Sequence, residues 1–229
     1  ASGILQQRGI PPDVIKITGP ARFDDVWSET RRWKQSAGNG NHTKTRVLVA
    51  DAHHDADFVF GMAVDALARD SGLQLVLKPH PATAHSDVSR MLSLRGLRDE
   101  HRGAEITVIK GGSIYELMAQ SDVFVATFSS TAVEALAFGL PVVLLVPNHT
   151  PDMSLFHGEQ IPIMKASTAT ELRSHVDRLA QDEAFKAHYV SQLVSVLEDT
   201  FGPTDSCASL RLARLCADLD AQAKDELKC

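Results

Sequence analysis

The sequence predicts an α/β fold, with a parallel sheet covered by helices on both faces and a helical segment at its C-terminal end. Three observations predict it. Between Arg46 and Val146, short runs rich in β-branched residues alternate with stretches of helical character, the pattern of strand–helix–strand crossovers. Those runs are mostly apolar rather than alternating, with Gln74, Thr107 and Thr127 as polar exceptions, as suits strands buried on both faces. Beyond Ala169 only helical, amphipathic stretches follow.

Taken in order, residues 1–35 form a prelude: a strand candidate at Val14–Thr18, a Gly19-Pro20 turn, and a helix over Arg22–Gln35 with Phe23, Val26 and Trp27 on one side. Residues 36–45 are polar and glycine-rich and read as a loop or linker. Strands are expected at Val47–Ala50, Leu73–Leu77, Ile106–Ile109, Val123–Phe128 and Val142–Val146, with Ile161–Met164 as a sixth. Helices are expected at Asp57–Asp70, Ser86–Leu94, Ser113–Gln120, Ala132–Phe138 (stopped by Gly139), Ala169–Ala180, Glu183–Leu197 and Cys207–Ala221, with fraying from Lys224. The organisation is thus an interdomain segment and linker over 1–45, a ligand-binding domain over 46–221, and a tail over 222–229.

Composition narrows the function. An apolar content of 44% and a charged content of 23% over 229 residues suit a soluble globular domain. A formal charge of −6 argues against a nonspecific nucleic-acid binder. Cys207, Cys216 and Cys229 are odd in number and widely spaced, and read as reduced thiols rather than a disulfide framework or a zinc site. No apolar run is long enough to cross a bilayer, and the start is no signal peptide. Ala1 falls in what reads as the middle of a fold, so a fragment is expected.

In an open parallel sheet the ligand crevice lies beyond the carboxyl ends of the strands. The five loops there are Asp51–Asp57 (DAHHDAD), Lys78–Pro81 (KPHP), Lys110–Ser113 (KGGS), Ser129–Thr131 (SST) and Pro147–His149 (PNH), all polar and three with histidine. Ser129, Ser130 and Thr131 stand where a strand meets a helix, a place suited to an anion such as phosphate. The structural alternative is a capping box between Thr131 and Glu134. Prolines on either side of His80 fix its backbone, so His80 with Lys78 suits phosphate binding or proton exchange; a turn with an exposed histidine is the alternative. Lys110, Gly111, Gly112 and Ser113 read either as a ligand loop or as a structural turn, with a second box between Ser113 and Glu116.

His53 and His54 among Asp51, Asp55 and Asp57 have metal-ligand residue types but no ligand spacing, and read better as a crevice wall. Asp55 or Asp57 is a candidate N-cap. His149 is a further wall candidate, and His42, His101, His157, His175 and His188 read as surface residues. There is no base beside a cysteine, no G-x-S-x-G elbow and no P-loop.

In sequence order, LKPHP (77–81), IYELMAQSDV (114–123), SSTAVEALA (129–137) and GLPV (139–142) resemble the C-terminal half of GT-B glycosyltransferases. They are most similar to the group of CDP-glycerol glycerophosphotransferases, capsule and polysialic-acid transferases and UDP-GlcNAc 2-epimerases. TGPARFD (18–24) is similar to the segment that crosses between the two domains there, and 201–214 to the closing helix.

The resemblance implies a Rossmann-like domain that binds a nucleotide-activated donor, CDP-, CMP- or UDP-linked, for bacterial surface polysaccharide synthesis. No covalent cofactor and no required Mg2+ are implied. It implies that Lys110–Ser113 border the base, that Ser129, Ser130 and Thr131 take the phosphates, that Glu134 reaches the ribose or donor sugar, and that His80 is the functional histidine. The polysaccharide or lipid-linked acceptor would be held by an N-terminal domain outside this chain, at a cytoplasmic location peripheral to the inner membrane face. Two features depart from the group: Val142 stands where a second Glu is usual, and DAHHDAD replaces a small-residue loop whose acids would repel a diphosphate. A 2-epimerase, a noncatalytic binding module and a metal-dependent hydrolase using His53 and His54 remain the alternatives.

Overall fold

A computed structural model describes residues 2–36, 43–52, 55–97, 103–127, 130–147, 163–201 and 205–226. Among these residues six parallel strands form one sheet: β1 (Thr45–Ala50), β2 (Leu73–Lys78), β3 (Glu105–Val108), β4 (Val123–Ala126), β5 (Val142–Leu145) and β6 (Met164–Ala166). Their spatial order is β3-β2-β1-β4-β5-β6. Val47 to Val49 pair with Leu75 to Leu77 on one side and with Val123 to Val125 on the other. Strand β1 is therefore the centre, and the chain reverses its direction of travel across the sheet between β1 and β4.

The helices are α1 (Ser2–Gln7), α2 (Asp24–Ser36), α3 (Ala56–Leu67), α4 (His85–Leu94), α5 (Ile114–Ala119), α6 (Thr131–Ala137), α7 (Ala169–Gln181), α8 (Glu183–Phe201) and α9 (Ala208–Glu226). The mostly apolar runs have the expected consequence: Leu48, Leu75, Leu77, Phe124 and Leu144 are sealed in the core. Around them pack Phe60 and Leu67 of α3, Leu136 of α6 and Leu172 and Leu179 of α7.

The strand expected at Val14–Thr18 is absent. Pro12–Val14 is a turn of 3-10 helix, and Val14 and Ile17 are 61% and 65% exposed. Pro11 and Pro12 offer no N–H to a ladder, and the two side chains find no core to enter. The helix Ser2–Gln7 was not foreseen in the prelude. The sixth strand forms three residues later than expected, and Ile161 and Pro162 lie outside the described residues. Helix α7 opens with a complete Thr168/Glu171 capping box, a signal the sequence carried.

Neither of the two boxes weighed as structural alternatives closes. Thr131 is the first helical residue of α6 rather than its cap, and Ser130, at the cap position, is itself helical (φ −61°, ψ −20°). Ser113 does cap α5, but it accepts from the N–H of Tyr115 rather than from Glu116. Gly139 ends α6 as expected, at φ +75°, a conformation open to glycine.

Two long-range clasps fix the prelude to the closing helix. The Asp24 carboxylate accepts the N–H groups of Ala208 (3.0 Å) and Ser209 (2.7 Å), capping α9 from across the molecule. Arg211 of α9 donates from Nε to the Thr18 carbonyl at 2.8 Å. Burial works against the Asp24 carboxylate, but the bonds from Ser209 and Ala208 and the Arg211 charge outweigh it and hold its pKa below the usual range.

Candidate functional site

Because every strand runs the same way, all their carboxyl ends open on one edge of the sheet, and the reversal between β1 and β4 leaves a crevice there. The crevice holds a cleft of about 610 Å³ lined by residues 50–52, 78–81 and 110–112, with Ile114 and Thr131. The loops of β1, β2 and β3 and the start of α6 thus face one space. A Cβ added at Gly111 or Gly112 would meet nothing within 4 Å, and Gly112 has φ +76°, so this loop presents bare backbone to the open cleft.

The K-P-H-P loop is held by a carboxylate that the sequence reading left unassigned. Asp51, buried at the end of β1, accepts a short hydrogen bond from the His80 backbone N–H and a 2.8 Å bond from Thr83 Oγ1. Asp55 accepts from the Ala52 N–H at 2.9 Å and, in a short bond, from Thr127 Oγ1 at the end of β4. Asp55 does stand at the N-cap position of α3, but its carboxylate makes no cap bond. Two acids of the DAHHDAD loop therefore tie neighbouring loops together across the crevice, and their charge is engaged by the protein's own donors. The signal was a carboxylate directly after the central buried strand. Its partners lie 29 and 32 residues away, and the Thr127 partner of Asp55 lies 72 away, which no local pattern reveals.

His80 itself is exposed at the cleft. Its Nδ1 accepts from the Ala82 N–H at 3.2 Å, so in the neutral ring Nε2 carries the proton. Lys78 is committed to the next loop: Nζ donates to the carbonyls of Lys110 (2.9 Å), Gly111 (2.7 Å) and Gly112 (3.3 Å). Burial lowers its pKa from the ordinary lysine value. Lys78 thus shapes the glycine loop, which turns its carbonyls toward the ammonium.

Ser130 and Glu134 are not among the residues that line the cleft; they belong to the start and body of α6, which packs on α2. Ser130 Oγ accepts from Arg22 at 3.1 Å. Glu134 is half-buried; burial raises its pKa and the Arg22 charge partly offsets the rise. Tyr115, stacked on Phe138 at 5.7 Å, is raised by burial and by the Glu134 charge. Ser129, His53, His54 and His149 lie outside the described residues, as do His42, His101 and His157. His188 is exposed as expected, whereas His175 sets Nε2 3.0 Å from the Lys165 carbonyl. No group of metal-ligating side chains occurs among the described residues, and among them no helix is long and apolar enough to cross a membrane.

No protein-family model and no curated protein sequence matches the chain. Solved structures do match. The Anabaena protein HepE in complex with UDP and glucose aligns at a TM-score of 0.57 and 16% identity, over 86% of this chain and 54% of its own. The wall teichoic acid polymerase TagF soaked with CDPG aligns at 0.52 and 15%, over 87% and 47%. The UDP-GlcNAc 2-epimerase from Neisseria meningitidis bound to UDP-GlcNAc aligns at 0.62 and 13%, over 95% and 58%. All three have the GT-B fold, and the chain has the Rossmann-like architecture of one GT-B half, as the motifs implied. It spans about half the length of each of these structures.

Proposed function

We propose that this chain binds the nucleotide of an activated donor, a sugar or a polyol phosphate, as the donor half of a transferase of bacterial surface polysaccharide synthesis. The observation that carries the reading is the cleft at the strand reversal, where Thr131, His80 and the bare backbone of Gly111 and Gly112 face one volume. The complexes named in the matching structures, with UDP and glucose, with CDPG and with UDP-GlcNAc, support it.

In this reading the glycine loop borders the base and the start of α6 receives the phosphates. The hydroxyls of Ser130 and Thr131 and the first turn of the helix meet the charge that grows on the departing nucleotide as its bond to the transferred group breaks. His80, with its proton on Nε2, donates to a phosphate oxygen or to the leaving oxygen. Glu134 accepts hydroxyls of the ribose or the donor sugar. Ser129 is assigned to the phosphates with Ser130 and Thr131, and His53, His54 and His149 to the crevice wall. The acceptor is held by a second half, at the cytoplasmic face of the membrane. No step of this reading calls for Mg2+.

A thermal-shift and calorimetric screen of UDP, CDP, CMP-sialic acid and GDP, with and without Mg2+, tests it. Saturable binding of one nucleotide, abolished by Ser130→Ala/Thr131→Ala in a variant that keeps its fold, is the expected result. Absence of binding to all of them contradicts the reading. The alignment with the 2-epimerase, at a TM-score of 0.62, favours a second reading in which the same cleft holds UDP-GlcNAc for inversion at a sugar carbon rather than transfer. An epimerised sugar product from UDP-GlcNAc, without any acceptor, would select it.

A further inference from the structure

We propose that Arg22 is a positioning residue of this site, holding the Ser130 hydroxyl at the start of α6 and standing as the counter-charge to Glu134. The inference rests on the reading of the cleft as a nucleotide site.

Arg22 lies 108 residues before Ser130, in the segment leading into α2, yet Nη2 donates to Ser130 Oγ at 3.1 Å. Ser130 occupies the cap position of α6, but its backbone is helical and its side chain makes no cap bond; the hydroxyl accepts from the guanidinium. A hydroxyl that accepts one bond still has its own proton to donate. Arg22 thus orients the group that the site offers to a phosphate.

The guanidinium is held in place. Its carbon lies 4.9 Å from the ring centre of Phe23, which is buried. The segment around it is clasped at both ends to α9, through Thr18 to Arg211 and through Asp24 to Ala208 and Ser209.

The niche is otherwise acidic. Tyr115 from α5 feels the charges of Glu134 from α6, of Asp25 and Glu29 from α2, and of Arg22. Among the described residues, Arg22 is the cation whose charge reaches Glu134. Burial favours the neutral form of Glu134 and Arg22 favours the carboxylate, the form that accepts hydroxyl protons from a sugar.

The test titrates Glu134 by carbon-detected NMR and measures UDP affinity against pH in the full chain, in wild type, Arg22→Ala, Arg22→Lys and Glu134→Gln. In Arg22→Ala, Glu134 should titrate at higher pH than in wild type, and UDP affinity at neutral pH should fall about tenfold, the scale of one hydrogen bond to a charged group. The acid limb of the affinity profile should move to higher pH with it. Arg22→Lys should restore most of the titration shift and less of the affinity, since it replaces the charge but not the guanidinium geometry. The Glu134-dependent limb should vanish in Glu134→Gln. Identical Glu134 titration in wild type and Arg22→Ala overturns the inference, as does UDP binding that is lost in Ser130→Ala/Thr131→Ala but untouched in Arg22→Ala. If the Glu134 titration moves while wild type binds no nucleotide, Arg22 keeps its positioning role and the nucleotide reading alone fails.

Discussion

Lys78 shows how the cleft depends on residues that need not touch a ligand. Its ammonium gathers three consecutive carbonyls, of Lys110, Gly111 and Gly112, which would otherwise splay toward water. Lys78→Met keeps the stem and removes the donors. Backbone order parameters at Gly111 and Gly112 should fall, while those of β2, held by its ladder, should stay as they are. Asp51→Ala should do more, because it strands the His80 N–H and the Thr83 hydroxyl at a buried position. A loss of about 1–3 kcal/mol in denaturant unfolding is expected. His80 and the glycine loop could be located from sequence because prolines, glycines and a buried strand before each are local signals. The staples made by Asp51, Asp55 and Arg22 could not, since each joins residues that only the closed sheet brings together.

At the scale of elements, chemistry follows from how each one begins or ends. Helix α6 starts one residue earlier than periodicity placed it, and that step moves Thr131 into the first turn and leaves Ser130 to Arg22. Helix α8 contributes a different anchor: the buried Tyr189 hydroxyl donates to the Val142 carbonyl at 2.5 Å and accepts from the Met164 N–H at 2.9 Å, joining β5 to β6. Burial pushes the Tyr189 phenol far above its usual range, so it stays a donor at any ordinary pH. Tyr189→Phe should cost about 1–3 kcal/mol in chemical unfolding by leaving the buried Val142 and Met164 groups without that partner.

The cap that Asp24 gives α9 should respond to acid. Its folded pKa lies below the ordinary 3.8, so its contribution is complete above that value and disappears as pH falls through the folded pKa. The difference in Tm between wild type and Asp24→Asn should therefore be constant from neutral pH to about pH 5 and close in stronger acid. The sequence marked the prelude and the closing helix as separate stretches. Their clasp is a tertiary fact that no periodicity encodes.

For the whole molecule, the strand alternation was legible because strands buried on both faces leave a continuous apolar signature that a half-exposed strand does not. The strand at Val14–Thr18 was misread because a short apolar run looks the same whether it enters a sheet or lies exposed beside two prolines. The order β3-β2-β1-β4-β5-β6 then does what sequence cannot express directly: it sets the loops of β1, β2 and β3 and the start of α6 around one opening. The chain spans about half of each GT-B structure it matches, and under the function proposed above it binds the donor nucleotide. The most direct test of that claim is isothermal titration of the full chain with UDP and with CDP, beside the Ser130→Ala/Thr131→Ala variant. Saturable binding of either nucleotide to the wild type, lost in the variant without loss of its fold, is the predicted result. Binding that survives the double substitution, or no binding of either nucleotide, would contradict it.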